Sequence, residues 1–89
     1  MMWEKGVANV STSNTKIVYN YDNEDDILYL SIGEPEPSIT NELEEGIFIR
    51  RNKKTKKITG LTILDYKYRK NHKIKINVPK EFDLDKIKI

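Results

Sequence analysis

The stretch that decides the fold is Tyr21-Asp22-Asn23-Glu24-Asp25-Asp26-Ile27-Leu28-Tyr29-Leu30, in which five polar residues separate two alternating apolar segments. Apolar and polar residues alternate with a period of two over residues 16–21 and again over residues 27–32, which predicts a strand in each segment. The short Asp and Asn side chains between them can bond to the local backbone, which favours a tight turn over residues 22–26. The stretch therefore predicts an antiparallel hairpin.

Further strands are expected beyond this hairpin. Gly33-Glu34-Pro35-Glu36-Pro37 ends the second strand, because its two prolines cannot donate to a β ladder. Alternation and turn residues then predict strands over 38–44, 47–51, 57–65 and 73–78, a basic hairpin tip over 52–56, a polar loop over 66–72 and one or two helical turns over 80–86. Ile58 is out of phase with Leu61 and Ile63. Either a bulge at Gly60 returns it to their face, or it points to the other side.

These segments predict a mainly β fold, an antiparallel meander sheet of five to six short strands with a short C-terminal helical turn. One face would carry seven large apolar side chains and form the core or an oligomer surface. They are Leu28, Leu30, Ile32, Ile47, Ile49, Leu61 and Ile63. Either the sheet curls into a small sandwich or half-barrel, or two copies pack face to face. Self-association, most simply as a dimer, is expected through this face or through an edge strand.

Length and composition predict one small domain in a reducing compartment. The 89 residues divide into a flexible tail or loosely held strand over 1–15 and a single β domain over 16–89. The chain has no cysteine, and we see neither a secretory signal nor an apolar run of membrane-spanning length, so a cytoplasmic location without membrane association is expected.

Three separated motifs carry a resemblance to a known family. They are the quoted stretch, which follows the outline YDxExDxLYI, then Glu45-Gly46-Ile47, then Gly60-Leu61-Thr62-Ile63-Leu64-Asp65. In this order and spacing the chain resembles the bacterial and archaeal family called domain of unknown function 2283, over a core of residues 16–66. Members of that family are often encoded beside small putative toxins, so the resemblance implies an antitoxin-like, protein-binding role.

Residues that could support catalysis or hold a cofactor are few. Asp22, Glu24 and Asp26 have the first three spacings of a calcium loop, but Ile27 and Gly33 stand where that loop needs its glycine and its bidentate acid. His72 is the only histidine, and each of the four glycines is isolated, so neither a transition-metal site nor a phosphate loop is indicated. We therefore predict a protein that is not an enzyme and uses no metal or cofactor.

Charge is unevenly distributed along the chain, although its net value is only +2. Nine acids and no base lie between Asp22 and Glu45, whereas eleven bases and one acid lie between Arg50 and Lys75. The leading hypothesis is a non-catalytic, homo-oligomeric protein-binding module. The alternative is a nucleic-acid-binding β protein whose basic hairpin tracks phosphates or an acidic partner, with help from Tyr66 and Tyr68. The residues of that hairpin are Arg50, Arg51, Lys53, Lys54, Lys56 and Lys57.

Overall fold

The computed structural model describes residues 3–8 and 17–87, with side chains described over 17–87. These residues form a mainly antiparallel β fold, as the sequence predicts. The strands are β1 Trp3–Ala8, β2 Ile17–Asp22, β3 Ile27–Ile32, β4 Ser38–Glu44, β5 Ile47–Asn52 and β6 Ile58–Leu64. A short helix, α1 Tyr66–Asn71, follows β6, and a 3₁₀ turn spans Leu84–Lys86.

The strand order within these ranges departs from a simple meander at one point. The sheet runs β1-β2-β3-β6-β5-β4, with every neighbouring pair antiparallel. The chain leaves β3 through the proline-containing segment 33–37 and resumes at the outer edge of the sheet. The central position beside β3 goes to β6, which is largely buried, whereas β4 is almost wholly exposed. Burial of apolar side chains thus favours β6 over polar β4 at the centre of the sheet.

One face of the sheet is the hydrophobic core, which contains the seven apolar residues that the sequence predicts together with Ile17, Tyr19 and Tyr21 of β2. Leu30 lies opposite Leu61, which lies opposite Ile49, and each is at most 1% exposed. Ile32 is partly buried at the end of the same face. A register shift pairs Arg50 with Gly60 but Arg51 with Ile58. The extra residue returns Ile58 to the core face, so the bulge interpretation is confirmed.

The C-terminal third of the chain covers this face. Tyr66, Phe82 and Ile87 are buried against the sheet, and Ile76 and Val78 pack beside them. The core is therefore covered within one chain, by a helix and an irregular segment rather than by a second sheet. This arrangement leaves the seven apolar residues largely inaccessible to a second copy.

Two predictions for this C-terminal third are wrong in detail, and a third is confirmed in its shorter form. Residues 66–72 are not a loop, because α1 occupies Tyr66–Asn71. Residues 73–78 alternate but form no strand; Lys73 has a positive φ of 54° after the helix, which turns the chain across the sheet instead of along an edge. The helical turns expected over 80–86 are limited to the 3₁₀ turn at Leu84–Lys86.

At the N-terminus, Trp3–Ala8 pairs with β2 and forms one edge of the sheet. The prediction of a flexible tail over the other residues of 1–15 falls outside the described residues. Among the helices in the described part of the chain, none is long and apolar enough to cross a membrane.

Candidate binding surfaces

Asp26, in the first motif, contacts the residues that directly follow the third motif. The main-chain carbonyl of Asp26 accepts the N–H of Tyr66 at 3.1 Å. Its carboxylate accepts the N–H of Lys67 at 2.8 Å and that of Tyr68 at 3.0 Å, and the hydroxyl of Tyr21 donates to it at 2.6 Å. The N-cap residue of α1, Asp65, makes no side-chain hydrogen bond to the helix. Asp26 therefore supplies the acceptors for the N–H groups of the first turn of α1, which have no partner within the helix.

The environment of Asp26 stabilises its charged form. Partial burial raises the pKa of this carboxyl, but the hydrogen bonds from Tyr21 and from the helix N–H groups lower it further than burial raises it. The net effect is a pKa below the ordinary value. Both carboxylate oxygens are already occupied by donors, so Asp26 has a structural role in joining the turn to the helix.

The rest of the acidic segment forms the turn that the sequence predicts. The Oδ1 atom of Asp22 accepts the N–H groups of Glu24 at 3.0 Å and Asp25 at 3.3 Å. These bonds close the connection between β2 and β3. Within residues 17–87, no cluster of three or more His, Asp or Glu side chains is arranged to hold a metal ion.

Gly60, in the third motif, makes room for an arginine on the outer face of the sheet. A Cβ at this position would overlap the guanidinium of Arg50, which crosses β6 to reach β3. There its Nη2 donates to the carbonyl of Leu30 at 2.6 Å and to the hydroxyl of Ser31 at 3.2 Å. Arg50 is therefore held against the sheet and is not part of a free basic tip.

Gly46, in the second motif, accommodates another arginine. It has a φ of +81°, which favours glycine, and it lies against the guanidinium of Arg69. Arg69 donates through Nε to the carbonyl of Leu64 and through Nη2 to that of Glu45, both at 2.8 Å. Sequence reasoning missed the contacts of Arg50 with Leu30 and of Arg69 with Glu45, because they join residues 20 and 24 positions apart along the chain.

The basic hairpin keeps four of its six predicted contact residues exposed. Lys53, Lys54, Lys56 and Lys57 surround the turn between β5 and β6. Besides Arg50, the partly buried Arg51 is also engaged, since its Nη1 donates to the carbonyl of Lys56 at 3.2 Å. The exposed charged residues of the hairpin are therefore lysines, and its two arginines are engaged in contacts within the fold.

Tyr66 and Tyr68 lie at the opposite end of β6 from this hairpin, so they do not extend its surface. Tyr66 is buried, while Tyr68 is 53% exposed and stacks on His72 with a ring separation of 4.0 Å. The predicted assistance of these tyrosines to a basic tip is therefore incompatible with the strand order.

A groove of about 360 Å³ lies between α1 and the C-terminal segment. Its walls include Ile76, Val78 and Phe82, with Lys70 and Asp85 among its polar residues. Within residues 17–87 the buried Tyr66 also lines it, and no serine, threonine or histidine does.

The sheet ends on one side at the edge strand β4, which the sequence did not single out. Six of its seven residues are exposed, including Ile39 and Leu43 at 46% and 45%. The carbonyl of Pro37 accepts the N–H of Lys53 at 3.2 Å and so points toward the β5 side. Since backbone direction alternates along a strand, the main-chain groups of Ile39 and Asn41 also point to β5. The main-chain N–H and C=O groups of Ser38, Thr40 and Glu42 point in the opposite direction, outward from the open edge of the sheet.

Comparison with known proteins gives a family but no activity. No curated protein and no solved structure matches the chain. Residues 19–67, which hold all three motifs and the Asp26 contacts to Tyr66 and Lys67, match one protein family over more than half of the sequence. The chain belongs to the family described as protein of unknown function (DUF2283).

Proposed function

We propose that the protein is a small non-catalytic protein-binding module whose docking surface is the open edge strand β4. The observation that carries this proposal is the row of outward main-chain groups at Ser38, Thr40 and Glu42. An extended segment of another polypeptide can add to such an edge through main-chain hydrogen bonds. The exposed Ile39 and Leu43 supply apolar contact area beside these groups.

An antitoxin-like role in the cytoplasm fits this surface. The family resemblance implies a small toxin as partner, and strand addition would let a module without an enzyme site bind and block one. The acidic residues Glu42, Glu44 and Glu45 at one end of β4 favour a partner segment that carries lysine or arginine.

A backbone-specific variant tests the docking surface. Thr40→Pro removes the outward N–H but no bond to β5, and proline is tolerated on an edge strand in this orientation. Thr40→Ala is the matched control, because it removes the same side chain and keeps the N–H. We expect tagged wild-type protein and Thr40→Ala to capture the same partner from host lysate, and Thr40→Pro to lose it. Equal capture by a folded Thr40→Pro would overturn the proposal.

The nucleic-acid alternative has one observation in its favour, the four exposed lysines of the hairpin. They would act through phosphate contacts, whose strength falls steeply with salt. The probes are fluorescent single-stranded and double-stranded oligonucleotides, titrated at low and physiological salt with wild-type protein and with all four lysines changed to glutamine. Salt-sensitive binding that the glutamine variant loses, and Thr40→Pro retains, would support this alternative.

A further inference from the structure

We propose that β4 pairs with β4 of a second copy, antiparallel and centred on Asn41, to make one continuous sheet across a two-fold axis. This inference rests on the proposed function: a second copy occupies the docking edge in the free protein, and a partner segment takes its place on binding. It is carried by three independent features: the direction of the main-chain groups, the spacing of two exposed apolar side chains, and the charges at the two ends of the strand.

The main-chain N–H and C=O groups of β4 point in the directions that this register requires. In an antiparallel pair centred on Asn41, Thr40 of each copy lies opposite Glu42 of the other. The N–H and C=O groups of both residues point outward, so each such pair can exchange two hydrogen bonds. Asn41 itself points its main-chain groups toward β5 and would face its counterpart as a non-hydrogen-bonded pair. Backbone direction also permits a register centred on Thr40, so the side chains must distinguish the two.

The exposed apolar side chains select Asn41 as the centre. Ile39 and Leu43 are the two large hydrophobic residues exposed on β4, and they lie symmetrically about position 41. The register therefore sets Ile39 of each copy beside Leu43 of the other, twice. Cross-strand apolar pairs of this kind stabilise a sheet. A register centred on Thr40 would set Ile39 opposite Asn41 and leave Leu43 without an apolar partner.

A register shift between Glu42 and Glu44 limits the length of the paired segment. Bulges bend an edge strand and restrict its pairing with other chains. Leu43 lies at this bulge, so regular pairing ends near it. The contact is therefore short and suits a discrete dimer.

Charge at the two ends of β4 is complementary under the two-fold axis. The Lys53 N–H bonds to Pro37, so the basic hairpin adjoins the start of β4, while Glu44 and Glu45 stand at its end. Antiparallel pairing places the acidic end of each copy beside Lys53 and Lys54 of the other, whose two positive charges outnumber the one negative charge of Glu36 at the same corner. Such exposed pairs weaken as salt screens them.

A single-cysteine scan tests the register directly, because the chain has no cysteine of its own. In a non-hydrogen-bonded pair the Cα atoms are about 4.5 Å apart, within the range of a disulfide. We expect Asn41→Cys to form a cross-linked dimer under mild oxidation, seen on a non-reducing gel. The matched control Thr40→Cys should stay monomeric on that gel, since its counterpart lies two positions along the strand.

The outcomes separate this inference from the proposed function. Cross-linking of Thr40→Cys in place of Asn41→Cys would overturn the register. A wild-type chain that sediments as a monomer at low salt and tens of micromolar, with neither cysteine variant cross-linking, would overturn self-pairing. The Thr40→Pro capture experiment then decides independently whether β4 docks a different protein.

Substitutions that exchange the charges at the two ends of β4 test the third feature, which is the complementarity of these charges between the two copies. Lys53→Glu with Lys54→Glu should weaken the dimer in low-salt sedimentation, and adding Glu44→Lys with Glu45→Lys should restore it. If Asn41→Cys forms the cross-linked dimer but the two lysine substitutions do not weaken the wild-type dimer, charge does not contribute to pairing. That result would contradict the proposed position of the basic hairpin beside the acidic end of β4.

Discussion

The carboxylate of Asp26 accepts the backbone N–H of Lys67 at 2.8 Å, across 41 positions of the chain. This bond ties the turn between β2 and β3 to the first turn of α1. Through α1 it fixes Tyr66, whose ring meets that of Tyr21 edge-on at 6.2 Å between centroids. One turn residue therefore determines where the C-terminal cover of the core begins.

Removing the Asp26 carboxylate should destabilise the fold. Asp26→Ala leaves two helix N–H groups and the Tyr21 hydroxyl without their acceptor, at a cost of about 2 kcal/mol in the free energy of unfolding. Asn is a milder replacement, because it keeps one acceptor and tolerates the positive φ of 55° found here. Urea denaturation should rank the proteins as wild type, then Asp26→Asn, then Asp26→Ala. Equal midpoints would show that the cap contributes nothing.

The same carboxylate predicts a loss of stability in acid. Its pKa is lower in the folded chain than its ordinary value of 3.8, so ionisation favours the folded state. This contribution is fully present above the unfolded pKa and disappears as the pH falls through the folded pKa. The stability of wild type should therefore fall more steeply with pH below about 4 than that of Asp26→Asn. Parallel pH profiles of the two proteins would contradict the assignment.

Gly60 and Arg50 should be energetically coupled. Gly60→Ala displaces the guanidinium from the Leu30 carbonyl, and we expect a cost of about 1–2 kcal/mol in the free energy of unfolding. In an Arg50→Ala background the same change meets no guanidinium and should cost less. A double-mutant cycle from urea denaturation measures the difference, with an expected coupling above about 0.5 kcal/mol. Additive effects would mean that Arg50 moves aside without loss.

Leu30 and Ile49 should show the cost of a cavity in the centre of the core. Both are at most 1% exposed, and truncation of either to Ala should cost about 2–4 kcal/mol in the free energy of unfolding. Ile74→Ala is a matched control, because Ile74 is 44% exposed. Its effect should stay within about 0.5 kcal/mol. Urea midpoints for the two core variants that equal that of the control would contradict their placement.

Local sequence patterns predicted the strands well. The alternation over residues 27–32 and 47–51 identified strands and their buried faces, because one face of a sheet must be apolar when it is covered. The phase of Ile58 even indicated the bulge. These features depend on neighbours two positions apart, which a sequence displays directly.

Long-range contacts could not be predicted in the same way. The sequence of 66–72 is polar, and α1 depends on an acceptor from Asp26 that no local pattern reveals. Residues 73–78 alternate as a strand would, yet they cross the core instead of joining an edge. The exposed lysines of the basic hairpin were found from composition, but the contact of Arg50 with Leu30 requires knowledge that β6 lies between β5 and β3.

The C-terminal cover leads to the last prediction, which concerns Phe82. This ring is 5% exposed and packs against the sheet between α1 and the 3₁₀ turn. Phe82→Ala should cost about 3–5 kcal/mol, and it should loosen the segment that shields Leu30 and Leu61. The exposed Glu81→Ala is the control. Unfolding in urea gives the energetic cost, and binding of a hydrophobic dye to the native state reports uncovered core.

The salt dependence of self-association distinguishes association through a core face exposed by Phe82→Ala from pairing between β4 strands. A contiguous apolar face left open tends to associate, and association through it does not weaken with salt. Phe82→Ala should therefore sediment as a larger species even at high salt, where charge pairing between β4 edges is screened. A Phe82→Ala protein with wild-type dye binding and wild-type stability would mean that the sheet face is shielded without this ring.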